Sequence, residues 1–138
     1  MPYSCIFIYE ALNYYIKKEF HSPILSIGFT LTGLLFFALS FFYWGQAYTW
    51  SVLFLSGFVL PLLPRVLSPR QLSLFSLASL ISLLPMFIVN GLLTALPVVI
   101  YNDSHNLGLR IGSIPVEDFL YFLLLYALNI GIYERLRK

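Results

Sequence analysis

Glu117 and Asp118 stand side by side two residues after Pro115, in a chain where only six residues are acidic. Proline is pre-shaped for a first helical position, so Pro115 predicts a helix start with Ser113 or Ile114 as its cap. Both carboxyls then fall in the first turn, where the helix dipole favours negative charge. That placement alone is ordinary for acidic residues. A second reading uses the 100° step between neighbours on a helix. One carboxyl can face the interior while the other faces solvent or Arg110. Loss of water favours a neutral acid, whereas the helix dipole and Arg110 favour the anion. A pair split in this way would supply one proton donor and one fixed anion.

The other polar side chains cluster around this pair. Between Asn90 and Phe122 lie Asn90, Thr94, Tyr101, Asn102, Asp103, His105, Asn106, Arg110 and Ser113. Gly91, Gly108 and Gly112 supply turns, and Pro97 and Pro115 stiffen the backbone. His105 is expected in an exposed turn and His21 in a loop on the opposite face, so a shared metal site is not expected. The lone Cys5 excludes an intramolecular disulfide framework and a cysteine-based metal centre. No phosphate-binding glycine loop, dinucleotide fingerprint or aspartate-rich diphosphate motif is present, and no flavin or nicotinamide motif, so no cofactor is expected. The net charge of +2 carries no nucleic-acid signature. A few of the many aromatic side chains could steady a carbocation with their π faces.

The elements that must position these groups are apolar. Hydrophobic residues make up 59% of the 138, and charged residues only 10%, which points to lipid as the solvent for most of the chain. About 20 apolar residues cross a bilayer as a helix. Four stretches qualify, at 24–44, 48–63, 72–100 and 116–133. The second is expected to end at Pro61 and Pro64. The third holds Pro85 and Pro97, one expected to kink it and the other to end it, with 72–93 as its membrane part. A shorter apolar stretch, 2–16, precedes them. Of the basic residues, Lys17, Lys18, Arg65, Arg70, Arg135, Arg137 and Lys138 fall on one face and only Arg110 on the other. The positive-inside rule makes the first face cytoplasmic. The expected fold is an all-α, multi-pass membrane protein: four transmembrane helices, a shorter N-terminal helix and a cytoplasmic C-terminus. Near the two ends, Ile6–Leu12 and Ile130–Leu136 each place a Tyr-Glu pair at the cytoplasmic end of an apolar helix, a weak internal repeat.

Three segments taken together resemble a known family. They are Asn90-Gly91-Leu92-Leu93-Thr94, Pro97-Val98-Val99-Ile100-Tyr101-Asn102, and Gly108-Leu109-Arg110-Ile111-Gly112-Ser113-Ile114-Pro115-Val116-Glu117-Asp118-Phe119. They resemble the small integral-membrane lycopene cyclase domain, which occurs as heterodimeric subunits in some bacteria and as tandem domains in other bacteria, archaea and fungi. The resemblance is specific over about the last third of the chain; the apolar spans match by type.

The resemblance implies carotenoid biosynthesis in a bacterial or archaeal cell membrane. The reaction is the non-redox, proton-initiated cyclisation of lycopene ends to β-rings, without a cofactor. It implies Glu117 as the acid or the residue controlling it, with Asp118 as its partner. Asn90, Thr94, Tyr101, Asn102 and Arg110 would shape the pocket mouth, and Pro97, Pro115 and Phe119 join the pocket through the same motifs. Tandem members also suggest a domain plan, with residues 1–20 as the tail of a preceding cyclase domain and 21–138 as the cyclase domain itself. Pro115 precedes Tyr133 by eighteen residues, and the same count back from Tyr9 falls upstream of Met1. The expectation is therefore the C-terminal half of a tandem protein that works with a second domain or subunit. Two other readings stand beside it: a catalytically incomplete subunit packed with a carotenoid-pathway partner, and a scaffold or transporter-like membrane protein without chemistry.

Overall fold

The computed structural model describes residues 2–17, 23–96, 98–102 and 104–137. Lys18, His21, Pro97, Asp103 and Lys138 lie outside the described residues. Five α-helices follow in order: α1 Pro2–Tyr15, α2 Pro23–Ser40, α3 Ala47–Val66, α4 Pro69–Ala95 and α5 Val116–Leu136. A 3-10 turn, Phe41–Tyr43, extends α2. Two short strands, β1 Arg110–Ile111 and β2 Ile114–Pro115, form a hairpin before α5. The segments 23–43, 47–66, 69–95 and 116–136 are each long and apolar enough to cross a membrane.

α3 is longer than its prolines suggest. It carries Pro61 and Pro64 inside the helix and continues to Val66. A proline costs its own N–H and crowds the preceding turn, but neighbouring helices can absorb that locally. Here Pro61 is the residue that Gly33 of α2 packs against. Higher in the same interface a Cβ on Gly57 would come within 2.7 Å of Phe37. These two glycines let α2 lie close on α3, the small-residue packing usual between apolar helices. α4 likewise runs through Pro85 and stops at Ala95, two residues before Pro97. It begins with a full capping box, in which Ser68 Oγ accepts from the Gln71 N–H and Gln71 Oε1 accepts from the Ser68 N–H.

The buried core joins α1, α3, α4 and α5 through Tyr9, Leu60, Phe75, Tyr126 and Ile130. α2 rests mainly on α3, and α3 on α5, while α4 and α5 touch more sparingly. α1 binds one end of the bundle. Tyr9 Oη donates to Glu134 Oε1 at 2.7 Å, and Arg137 pairs with Glu10 at 2.6 Å. Arg70 reaches the Asn13 side chain and the Ile16 carbonyl. The two ends that carry the weak Tyr-Glu repeat thus meet directly. This end also holds Lys17, Arg65 and Arg135, so the described basic residues gather there apart from Arg110.

Candidate functional site

Glu117 and Asp118 occupy the first turn of α5, as their position after Pro115 suggests. Pro115 itself is one step earlier than expected. It is the N-cap, in extended conformation, because β2 holds it in register with Arg110. Gly112 opens the two-residue hairpin turn with φ of 66°, a conformation that suits glycine.

The expectation that one carboxyl faces inward and the other outward is corrected by their burial. Glu117 is 1% exposed and Asp118 3%. Each is held by a different set of donors. Asp118 Oδ1 accepts from Tyr48 Oη at 2.6 Å, and Oδ2 accepts from Tyr101 Oη at 2.8 Å and from Asn90 Nδ2 at 3.3 Å. Glu117 Oε1 accepts from Thr49 Oγ1 and from the Leu107 backbone N–H, each at 2.7 Å. Its second oxygen, Oε2, is buried and has no hydrogen-bond partner among the described residues. Both carboxyls are therefore cross-linked into elements far away in sequence, with α3 supplying a donor to each.

The loop after α4 closes over this end. The Tyr48 N–H donates to the His105 carbonyl at 3.0 Å, and Asn106, 3% exposed, turns the chain by accepting from the Gly108 N–H. His105 is exposed, as expected. The rings of Tyr48 and Tyr101 stack with centroids 6.1 Å apart over Asp118. Burial, and secondarily the bond to Asp118, pushes the Tyr101 hydroxyl up to about 12, so it remains a donor at any ordinary pH.

The remaining motif residues divide by place. Thr94 Oγ1 lies 2.6 Å from Ser113 Oγ and bonds the Asn90 carbonyl, which ties the hairpin to α4. Asn102 is exposed and holds a turn by accepting from the Ser104 N–H. Arg110 is exposed, with Nη1 reaching the Ser113 carbonyl at 3.4 Å. Phe119 is half-buried and packs against Phe87, on a different cavity from the one Asp118 lines. Asn90 and Tyr101 are thus drawn onto a carboxyl, whereas Thr94, Asn102 and Arg110 shape the loop around it.

Asp118 and Asn90 form the polar end of a cavity of about 270 Å³ between α1, α4 and α5, whose other walls are largely apolar. A cavity of similar size between Val59 and Leu136 is close to the basic end, with no carboxyl in its wall. A buried acid pair beside an apolar cavity is what a carbocation reaction on a hydrocarbon would need. Comparison with protein families agrees: the lycopene cyclase family model matches residues 45–136, well over half of the chain. The chain belongs to the lycopene cyclase family. Neither a curated protein nor a solved structure matches it.

The matched segment includes all of α3, and with it two residues of this lycopene cyclase family member that the sequence did not single out. Tyr48 and Thr49 look like an interfacial start to an apolar span, yet they donate to Asp118 and Glu117 across 70 and 68 residues of chain. The available signal was a hydroxyl pair at the head of α3, on the same side of the bundle as the polar loop.

Proposed function

We propose that this lycopene cyclase family member carries out the non-redox closure of lycopene ends to β-rings, with Glu117 and Asp118 as the residues that handle the proton. The observation that supports it best is the pair itself: two buried carboxyls with unlike partners, one of them in the wall of an apolar cavity.

The reaction is an isomerisation, so no atom or electron is gained or lost overall. A proton adds to the terminal double bond of lycopene. The tertiary cation is attacked by the neighbouring alkene, the ring closes, and a ring carbon gives up a proton. Asp118, with three donors on its oxygens, is the carboxyl in the cavity wall. Facing the cavity, it can stabilise the cation and accept the returning proton. Glu117 lines none of the described cavities, so we assign it control of the initiating proton, which its bare Oε2 would hold and Asp118 would deliver at the cavity wall; the proton returned to Asp118 resets the pair. Tyr121, Phe122 and Tyr126 line the same cavity and bring aromatic rings near the developing charge. By the same reading the basic end of the bundle faces the cytoplasm. The carboxyl end then lies at the outer surface, and a second cyclase domain or subunit, which can be another copy of this chain, completes the enzyme.

Expression in a lycopene-accumulating bacterial host, with insertion checked by immunoblot, tests the proposal. Wild type should yield γ- or β-carotene, and product formed in deuterated water should carry solvent-derived deuterium on the ring. Unchanged lycopene in the presence of inserted protein would favour the incomplete-subunit reading. Cyclisation that survives both Glu117→Gln and Asp118→Asn would remove these residues from the chemistry.

A further inference from the structure

Three cavities meet around the middle of α5, and Phe122 lines each of them. The first, about 270 Å³, follows one face of α5 past Asp118, Tyr121, Leu125 and Asn129. Those positions are three or four residues apart, so the cavity is a furrow roughly 16 Å long at 1.5 Å per residue. The second, also about 270 Å³, adjoins it through Cys5 and Met86 and leads on to Ser82. The third is the largest at about 410 Å³ and lies between α2, α4 and α5, where Leu80 and Phe119 line it.

Resting on the cyclase reading, we propose that the furrow from Asp118 to Asn129 is the seat of one linear end of the polyene. The chain enters it sideways from lipid rather than through the loop. The chemistry decides against the larger cavity, because among the described cavities only the furrow has one of the paired carboxyls in its wall. Its carboxyl and amide side chains stand at its two ends, Asp118 with Asn90 at one and Asn129 at the other, which suits an apolar rod with its reacting end at Asp118. The loop hydrogen bonds from Tyr48 to His105 and from Leu107 to Glu117 cover the top. The side is open: Tyr121 is 45% exposed and Leu125 38%. Phe122 then acts as the partition that keeps the polyene out of the larger cavity.

Photo-crosslinking in nanodiscs separates the two seats. A p-benzoylphenylalanine is placed at Tyr121, on the furrow, or at Leu80, on the larger cavity. Both positions are exposed at the rim, so the folded bundle should tolerate them. With lycopene added, the residue-121 probe should give about tenfold more lycopene adduct than the residue-80 probe, because a bound chain has a far higher local concentration than one diffusing in lipid. Adduct mainly at residue 80 would overturn the seat. Equal, low adduct at both positions, with wild type still forming cyclic product, would overturn the seat alone. The same result with no cyclic product from wild type would overturn the cyclase reading as well.

Discussion

Each end of this bundle buries acid, one carboxyl at the basic end and two at the other, and each end brings a tyrosine hydroxyl onto a buried carboxyl. At the basic end Glu134, 5% exposed, has both oxygens engaged: Oε1 by Tyr9 at 2.7 Å and Oε2 by Gln71 at 2.6 Å. At the opposite end Glu117 has two donors on one oxygen and none, among the described residues, on the other. Its neighbour Asp118 reaches a cavity wall, which Glu134 does not. On the proposed reading, the difference separates a clamp from a reaction site. Glu134, with a donor on each oxygen, ties three helices together. A buried acid with an unfilled oxygen retains a capacity that packing alone does not require.

The comparison breaks most sharply on activity. Asp118→Asn should lower cyclisation by about 100-fold or more, the usual scale of a lost proton-handling group, with insertion unchanged. Pigment analysis against immunoblot measures both, and near-normal β-carotene would place the site elsewhere. Glu134→Gln should do the reverse. It keeps the Tyr9 bond, but its amide meets the Gln71 amide, and flipping Gln71 would break the Ser68 capping box. A stability loss of about 1–3 kcal/mol follows, with turnover per folded molecule unchanged. Thermal unfolding in detergent and the pigment assay check the two halves. A milder probe of the clamp is Tyr9→Phe, expected to cost about 1 kcal/mol by the same measurement.

The smallest effect concerns Tyr101. Its hydroxyl is raised from 10.0 to about 12 in the folded chain. The neutral form is therefore favoured by folding, so this stabilisation is complete below pH 10 and disappears as pH rises through about 12. An ultraviolet titration of wild type minus Tyr101→Phe should show that phenol ionising near 12, and an ordinary value near 10 would mean the loop is not seated on Asp118.

The spans and the acid pair were legible for a plain reason: each is a local signal. Twenty apolar residues read as a membrane helix without help from the rest of the chain, and a proline followed by two acids reads as a helix start. What escaped was set at a distance. The passage of α3 through Pro61 and Pro64 depends on how neighbouring helices pack, and Gly33, which rests on Pro61, is in another helix. The roles of Tyr48 and Thr49 depend on α3 and α5 lying together, which no spacing within either segment reveals. Phe119 belongs to the motif, yet it points to a different cavity from its neighbour Asp118, because one helical step separates them.

The bond from the Leu107 N–H to Glu117 has a further consequence for mutational tolerance. The donor is main chain, so the side chain at position 107 is largely irrelevant to it. In a saturation scan this position should accept residues of many sizes and polarities and reject proline, which brings no N–H. Its importance would be invisible to an alanine scan and plain in a proline scan.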